Sequence, residues 1–320
     1  MRESEVIERL RRIATHEAAR GLLDDAALFH GLVITHDSIA EGVHFLTDDP
    51  PDSVGWKLVA VNMSDLAAKG AIPAAALLSL TIAGDGAWEQ AFIAGLEAAC
   101  AAFALPLIGG DTIALPDGAP RVLGLTAIGR AGPHVPSRAG GEPGDRLWLI
   151  GDIGDAAAGL ALLRADPQAR GPLVDAYRQP VPLLAAGQAL APHATAMMDV
   201  SDGLLLDALS LARASGCAAT LDLDAAPLSD AFIGVRGDKL DARLFAATGG
   251  DDYALLAALP PDLDPSTLSL PSGTRMAGIG ILTDGPPEIR LVSGGRAVEL
   301  PERLGHEHRS SVASPMADRA

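Results

Sequence analysis

The segment GWKLVAVNMSDLAAKGA, residues 55–71 of this chain of 320 residues, has the hydrophobic spacing of an α-helix. The spacing predicts a helix over 53–69 that ends at Gly70, because glycine adopts the left-handed backbone of a helix C-cap without steric cost. Asp65 shares a stripe of this helix with the apolar Leu58. A carboxylate on a buried stripe is costly unless a cation meets it, so the segment predicts a core helix with an acidic group that needs a positive partner.

Strands and a second helix flank this helix in the first half of the chain. A strand pair is predicted over 26–37, where the apolar run LVIT ends at Asp37, with a turn at His30-Gly31. Further apolar patterns predict a strand over 75–82, a helix over 88–103, and strands over 105–108 and 121–129. The strand over 105–108 is expected to end in the turn Gly109-Gly110-Asp111-Thr112.

A segment rich in Gly and Pro, residues 131–145, marks the predicted boundary between two domains, 1–138 and 139–320. Beyond it the patterns predict strands over 146–151, 194–200, 218–224, 253–259, 274–281, 288–292 and 296–300, and helices over 155–163, from 203 to about 216 and from 240. Both halves mix strands and helices. The predicted fold class is therefore α+β (mixed α/β), in two α+β domains.

Composition and charge restrict the class of protein. The chain is 48% hydrophobic and 20% charged, as globular proteins are, and its net charge is −17. A surface this negative repels phosphate backbones, so neither nucleic acid nor an anionic membrane is expected as a partner, and a phosphorylated substrate would need cations to approach. The longest apolar run, 71–83, contains Pro73 and is too short to span a bilayer. With a charged N-terminus unlike a signal peptide, the sequence predicts a cytoplasmic protein.

Carboxylates are concentrated where the predicted elements stop. The set comprises Asp24-Asp25, Asp37, Asp65, Asp111, Asp199, Asp202 and Asp251-Asp252. Strand ends on one edge of a sheet converge, and a cluster of carboxylates there would suit Mg²⁺, which prefers oxygen ligands. For any single Asp, helix capping or an Asx turn explains the position better, and Asp202 is expected to cap the following helix. The adjacent pairs favour a metal site for the set as a whole, because a cap needs only one oxygen.

Glycine-rich turns and a few basic residues indicate phosphate binding. The turns at 109–112 and 249–252 would let backbone N–H groups approach a phosphate while the Asp holds a metal. Arg138 could clamp a phosphate, although a solvated linker arginine fits its position equally well. His44, taken alone, fits an ordinary half-buried histidine better than a ligand. The sequence contains no GxxxxGK[ST] motif and no protein-kinase signatures, which excludes those two nucleotide sites.

These motifs, in this order, resemble those of the thiamine-monophosphate kinase family, within the superfamily of aminoimidazole ribonucleotide synthetase. The matching segments are DDAAL (24–28), THDSIAEGVHF (35–45), GWKLVAVNMSDLAAKGA (55–71), IGGDT (108–112), SRAGGEPGD (137–145), GDIGDAAAGLALL (151–163), MDVSDGLLLD (198–207) and GGDDYALL (249–256). They extend from about residue 20 to residue 260, and VNMSDLAAKGA together with EGVHF is the most specific part.

The resemblance implies an N-terminal domain whose mixed sheet pairs in a homodimer, a C-terminal α+β domain, and transfer of the ATP γ-phosphoryl group to thiamine monophosphate. It implies Mg²⁺ ligands at Asp25, Thr35, Asp37, Asp65, Asp111, Asp199 and Asp202. It also implies ATP contacts at Gly110, Asp111, Arg138 and Ser201, and substrate contacts at His44, Asp251 and His306. The acceptor would be a phosphate oxygen that is already anionic near neutral pH, so no general base is expected.

Four positions depart from the family pattern, at Leu23, His36, Asp251 and His306. The first two are expected to affect the metal ligands, and the last two the choice of substrate. Two alternatives follow: another ATP-dependent enzyme of the superfamily that acts on a different phosphorylated metabolite, or a non-catalytic paralogue that binds a nucleotide or thiamine phosphate.

Overall fold

The computed structural model describes residues 3–84, 86–116 and 118–307. The ends of both predicted domains, 1–2 and 308–320, lie outside the described residues. The helices are α1 (Glu3–Leu10), α2 (Pro51–Ala68), α3 (Ala87–Ala102), α4 (Asp155–Ala165), α5 (Pro172–Arg178), α6 (Leu184–Leu190), α7 (Leu204–Ser215), α8 (Asp230–Arg236) and α9 (Leu240–Thr248). None of the described helices is long and apolar enough to cross a membrane.

The strands form two sheets, one in each half of the chain. The first contains β1 (Ala27–Phe29), β2 (Leu32–Ala40), β3 (Ile72–Ile82), β4 (Leu107–Ala114) and β5 (Val122–Arg130), in the order β1-β2-β5-β3-β4. Its β3–β4 pair is parallel and the other pairs are antiparallel. The mixed α+β class predicted from the sequence is thereby confirmed, as is the hairpin turn between β1 and β2.

The second sheet has seven strands and the order β12-β11-β8-β10-β6-β9-β7. Its strands are β6 (Arg146–Ile150), β7 (Ala196–Val200), β8 (Ala218–Asp222), β9 (Ala254–Leu259), β10 (Met276–Thr283), β11 (Ile289–Ser293) and β12 (Arg296–Val298). All five residues of β7 and all six of β9 are buried, which explains their nearly continuous apolar sequences.

Helix α2 is the element that joins the two halves. It packs on α3, on β2 and β5 of the first sheet, and on α6 and β7 of the second half. Fifteen of its eighteen residues are buried, since it has neighbours on every side. Its approach to α3 requires glycine, because a Cβ on Gly55 would lie 2.2 Å from the carbonyl oxygen of Phe92. A core helix with a carboxylate inside it is what the sequence predicts for this segment.

Two sequence-based predictions of local structure are wrong, and three short helices were not predicted. The residues 109–112 are the middle of β4 and form no turn, because parallel pairing with β3 outweighs the local preference of Gly-Gly for turns. Gly110 permits this pairing, since a Cβ there would lie 2.0 Å from the carbonyl oxygen of Leu78. Strand β2 continues past Asp37 to Ala40 because it pairs with β5 along its whole length. The helices α5, α6 and α8 were not predicted, since seven residues are too few to show a helical period.

Candidate active site

Three acidic side chains from distant parts of the chain meet where the two halves join. Asp25 precedes β1, Asp65 lies in the last turns of α2, and Asp199 lies in β7. One carboxylate oxygen from each lies within 4.8 Å of the other two. Asp65 is 8% exposed and Asp199 is 2% exposed. We call these three residues the carboxylate cluster.

Polar residues of α2 and β2 hold the cluster in place. The hydroxyl of Thr35 on β2 donates a short hydrogen bond to Asp65 Oδ2. Ser64 Oγ donates to Asp199 Oδ2 at 2.7 Å. The backbone N–H of Asp37 donates to Asn62 Oδ1 at 3.0 Å, which places Asp37 beside α2. Sequence reasoning missed Asn62 and Ser64, although two polar residues inside an apolar helix are themselves a signal of an internal polar site.

Burial and mutual repulsion raise the pKa values of Asp37, Asp65 and Asp199, so these three carboxylates resist ionisation. Burial raises the pKa of Asp65 well above its ordinary value, and Asp37 and Asp199 raise it further. Burial, with a smaller contribution from Asp25, raises the pKa of Asp199 to about 7. The pKa of Asp37 is also raised, first by burial and then by Asp25 and Asp202, against an opposing effect of His36. The site therefore favours a cation that would allow all of these groups to be charged.

The residues fit a divalent metal ion. Asp199 Oδ1 is buried and has no hydrogen-bond partner among the residues that the structure describes, so one ligand atom is available. The donors are carboxylate oxygens, with the Thr35 hydroxyl beside them, and oxygen donors suit Mg²⁺.

Three basic side chains surround Asp24 and Asp25 on one side of the cluster. Lys69 Nζ lies 2.5 Å from Asp24 Oδ1 and 2.6 Å from Asp25 Oδ2. Arg20 pairs with Asp24, and Arg138 Nε donates to Asp25 Oδ1 at 2.6 Å. Burial alone would raise the pKa of Asp24, but Lys69 and Arg20 hold it below its ordinary value. Arg138, predicted from the sequence to meet a phosphate, lies at the cluster and pairs with one of its carboxylates.

The loop after β7 carries the predicted residues Ser201 and Asp202, and two other segments close on it. The N–H of Asp251 donates to the carbonyl oxygen of Ser201 at 2.8 Å. The N–H of His306 donates to the carbonyl oxygen of Asp202, also at 2.8 Å. The structure thus brings Ser201, Asp202, Asp251 and His306 together.

A buried carboxylate that the sequence analysis missed supports this loop. Asp207, one turn into α7, is 3% exposed, and its Oδ2 accepts hydrogen bonds from the N–H groups of Asp202 and Gly203, each at 3.1 Å. The expectation that Asp202 caps α7 is wrong: the N-cap is Gly203, and no side chain caps it. Burial, then Asp202 and Asp199, raise the pKa of Asp207 well above its ordinary value.

A second polar group lies beside the loop and includes the predicted substrate residues His44 and Asp251. Lys57 of α2 is 2% exposed, and its Nζ lies 2.8 Å from Asp251 Oδ2 and 3.0 Å from the carbonyl oxygen of His44. The ammonium group also lies 4.1 Å from the centre of the Tyr177 ring. Tyr253 donates to Asp251 Oδ1 at 2.9 Å. Both Asp251 and Tyr253 have positive φ angles, +69° and +53°, which are costly for non-glycine residues and often occur at functional sites.

Asp111 and Gly110 lie away from the cluster within one chain. Both are exposed on β4, at the edge of the first sheet. Three strand steps separate β4 from β2, which carries Asp37, and this corresponds to roughly 14 Å along the sheet. His36, expected to affect the metal ligands, is exposed and contacts Thr126 and Ser38, whereas Thr35, the residue before it, is buried against α2. Leu23 is 44% exposed.

Comparison with known proteins places this arrangement in a family. Two family models match the chain: the N-terminal domain of AIR synthase related proteins over residues 23–131, and the C-terminal domain over residues 142–291. The thiamine-monophosphate kinase of Caulobacter vibrioides is 37% identical over 323 residues, covering 96% of this chain and 90% of that protein. That of Escherichia coli strain K12 is 35% identical over 303 residues, covering 90% and 91%.

Solved structures show the same fold. One, described as AaThiL complexed with AMPPCP and TMP, is 28% identical, has a TM-score of 0.82, and covers 95% of this chain and 97% of that chain. The thiamine-monophosphate kinase of Stenotrophomonas maltophilia K279a is 34% identical, with a TM-score of 0.75 and coverage of 92% and 96%.

Proposed function

This chain belongs to the thiamine-monophosphate kinase family of AIR synthase related proteins, and on that premise we propose that it transfers the γ-phosphoryl group of ATP to thiamine monophosphate, giving thiamine diphosphate. The relative that holds AMPPCP and TMP supports this pair of substrates. The observation that carries the proposal is the carboxylate cluster, Asp25, Asp65 and Asp199. Two anionic phosphate groups can meet only where positive charge is concentrated, and the carboxylates of the cluster would supply it by binding divalent cations.

The metal in this proposal is Mg²⁺, held by the cluster together with the neighbouring oxygen ligands. The proposed ligands are Asp25, Thr35, Asp37, Asp65, Asp111, Asp199 and Asp202. Bound Mg²⁺ would supply the charge that neutralises the two phosphates. The protein contributes fixed positions, since Thr35, Ser64 and Asn62 hold the acidic groups in place before any substrate arrives.

Gly110, Asp111, Arg138 and Ser201 are the proposed ATP contacts. Arg138 is 26% exposed while it pairs with Asp25, so its guanidinium group is within reach of a ligand at the cluster. A nucleotide phosphate could take over the role of Asp25 as the partner of Arg138, because guanidinium groups bind carboxylates and phosphates in the same bidentate geometry. Ser201 lies on the loop that Asp251 and His306 approach, between the cluster and the second polar group.

Thiamine monophosphate is proposed to bind beside His44, Asp251 and His306. Asp251 is 28% exposed, and a carboxylate at this position suits the positively charged thiazolium ring. Lys57 contacts both His44 and Asp251 and so fixes their relative positions. The acceptor is a phosphate oxygen that is already anionic, so the residues of this region orient it and do not need to remove a proton.

We also propose a homodimer formed through the first sheet. All eight residues of β4 are exposed, including the apolar Ile108 at 63% and Ile113 at 54%. An exposed apolar edge strand invites pairing with a second chain. Such pairing could bring Asp111 of one copy towards the cluster of another, which would explain its distance from the cluster within one chain.

The proposed division into domains, 1–138 and 139–320, has two supporting observations. Strands β1–β5 all precede the boundary and β6–β12 all follow it, and neither sheet formed by the described residues contains strands from both sides. The two family models end and begin on either side of it, at residues 131 and 142.

The test is incubation of the purified protein with ATP, Mg²⁺ and thiamine monophosphate, followed by chromatography of the products. Thiamine diphosphate in equal amount to ADP is the expected result. Phosphate release without thiamine diphosphate would favour a different enzyme of the superfamily. Calorimetric binding of thiamine monophosphate without turnover would favour the non-catalytic paralogue.

A further inference from the structure

A fully buried lysine lies against the carboxylate cluster and has no part in the function proposed above. Lys69 follows the last residue of α2, and its side chain has no exposed surface. Its Nζ lies 2.5 Å from Asp24 Oδ1, 2.6 Å from Asp25 Oδ2 and 2.9 Å from the carbonyl oxygen of Met197.

One hydrogen bond and two ion pairs hold the ammonium group. Its hydrogen bond goes to the carbonyl oxygen of Met197, and its ion pairs are with Asp24 and Asp25. Lysine is rarely fully buried unless it is paired, and this one is paired with two carboxylates, of which Asp24 is itself 1% exposed. Lys69 is therefore a fixed internal cation.

Lys69 differs from the other cation on Asp25 in whether a ligand could displace it. Arg138 is 26% exposed and can leave Asp25 for a bound phosphate. Lys69 has no exposed surface, and its contact with Met197 just before Asp199 ties it to β7 as well. Its charge consequently stays beside Asp25 in every state in which the two halves remain packed together.

We propose that Lys69 is a fixed positive charge at this site, paired permanently with Asp24 and Asp25, and that it limits how much metal the carboxylate cluster binds. This inference rests on the proposed function in one respect, that Mg²⁺ binds at Asp25, Asp65 and Asp199. A fixed positive charge next to Asp25 repels a divalent ion, so Mg²⁺ affinity is lower than three carboxylates alone would give. The buried ammonium group of Lys69 keeps Asp24 and Asp25 ordered without metal and restricts Mg²⁺ to the side of the cluster where substrate binds.

The experiment compares the full-length protein with Lys69→Met, an uncharged side chain of similar length. Mg²⁺ binding is measured by isothermal titration calorimetry without nucleotide, and Tm is measured in EDTA and in Mg²⁺. We expect Lys69→Met to bind Mg²⁺ at least about tenfold more tightly, or with a higher stoichiometry, because one opposing unit charge a few Å away is removed. We also expect it to have a lower Tm in EDTA and to regain more of it in Mg²⁺ than the wild type.

Lys57→Met is the matched control, since it removes a lysine that is equally buried but pairs with Asp251. It is expected to lower Tm without changing the response to Mg²⁺. Lys69→Gln is the second variant: it is uncharged but keeps a hydrogen-bond donor, so it tests the role of the charge if Lys69→Met does not fold.

The outcomes separate this inference from the function on which it rests. If the wild type binds no Mg²⁺ and its Tm is the same in EDTA and Mg²⁺, the metal cluster itself is refuted. If the wild type responds to Mg²⁺ and both Lys69 variants respond equally, the role given to Lys69 is wrong. The role given to Lys69 is established if Lys69→Gln responds to Mg²⁺ more strongly than the wild type while Lys57→Met responds as the wild type does.

Discussion

Replacing Asp199 by Asn should stabilise the metal-free protein at alkaline pH and greatly weaken its response to metal. Asp199 is 2% exposed, and burial followed by Asp25 raises its pKa from 3.8 to about 7. Asn has the same shape and can still accept the hydrogen bond from Ser64 Oγ, which Asp199 Oδ2 accepts at 2.7 Å. The substitution therefore removes the charge and little else.

The size of the effect follows from the pKa difference between the folded and unfolded states. Because the pKa of Asp199 is higher in the folded state, the group contributes to the free energy of unfolding. That contribution is fully present below pH 3.8 and is lost as the pH rises to about 7. A difference of about 3 pH units corresponds to about 4 kcal/mol, at 1.36 kcal/mol per unit. At pH 8 and without metal, Asp199→Asn should be more stable than the wild type by up to about 4 kcal/mol, or about 8 °C in Tm for a chain of this size. At pH 4 the two should be nearly equal.

The assay is urea unfolding of both proteins in EDTA between pH 4 and pH 8.5, repeated with Mg²⁺. Mg²⁺ should stabilise the wild type more as the pH rises, because it binds the ionised carboxylates, and should have a much smaller effect on Asp199→Asn. Asp145→Asn is the control, since Asp145 is a buried carboxylate that accepts hydrogen bonds from Thr195 and Glu142, away from the cluster. It should lose stability at pH 8. Equal stability of Asp199→Asn and the wild type at pH 8 would show that ionised Asp199 does not destabilise the metal-free protein.

Three further substitutions test other parts of the account. Lys57→Met should raise KM for thiamine monophosphate by about tenfold and leave KM for ATP nearly unchanged, because Asp251 loses a charged partner. Steady-state kinetics with each substrate varied in turn would measure both constants, and equal changes in the two would contradict the prediction. Asp111→Asn should lower kcat by at least about 100-fold with no change in Tm, since a proposed metal ligand is lost while an exposed edge is unaffected; near-normal turnover would remove Asp111 from the site. Gly55→Ala should lower the free energy of unfolding in urea by about 2 kcal/mol or more, because its Cβ would lie 2.2 Å from a carbonyl oxygen of α3. Gly234→Ala in α8 is the control and should not lower it, because a Cβ there meets nothing within 4 Å.

Local pattern was sufficient to predict α2 and its C-terminal end. Its apolar residues recur at helical spacing, and Gly70 follows with φ +59°. The same reasoning failed at β4, where 109–112 has the composition of a turn. There the outcome depends on pairing with β3, in which Gly110 approaches the carbonyl oxygen of Leu78 more closely than any other residue could. Non-local pairing of this kind leaves no trace in a short window of sequence.

The candidate site shows the same division between local and tertiary information. Asp25, Asp65 and Asp199 could be singled out as carboxylates near Gly- or Ser-containing segments, but only the fold brings their oxygens within 4.8 Å of one another. Asp65 lies within the last turn of α2, inside the helix in which the sequence placed it.

The two buried lysines were missed for a related reason. Lys57 meets Asp251, 194 residues away in sequence, and Lys69 meets Asp24 and Asp25, which lie in a separate segment before β1. Neither contact has a sequence spacing that periodicity could detect. The available signal of a buried ion pair was the presence of lysines within and at the end of a helix that is otherwise apolar.

The most direct test of the carboxylate cluster is a crystal structure with Mn²⁺ in place of Mg²⁺ and a non-hydrolysable ATP analogue, with the metal located by anomalous scattering. We expect an anomalous peak within about 2.5 Å of carboxylate oxygens of Asp25, Asp65 and Asp199, allowing for Mn²⁺–oxygen bonds slightly longer than those of Mg²⁺. Mn²⁺ bound only elsewhere, with these three carboxylates free of metal while the nucleotide is present, would contradict it.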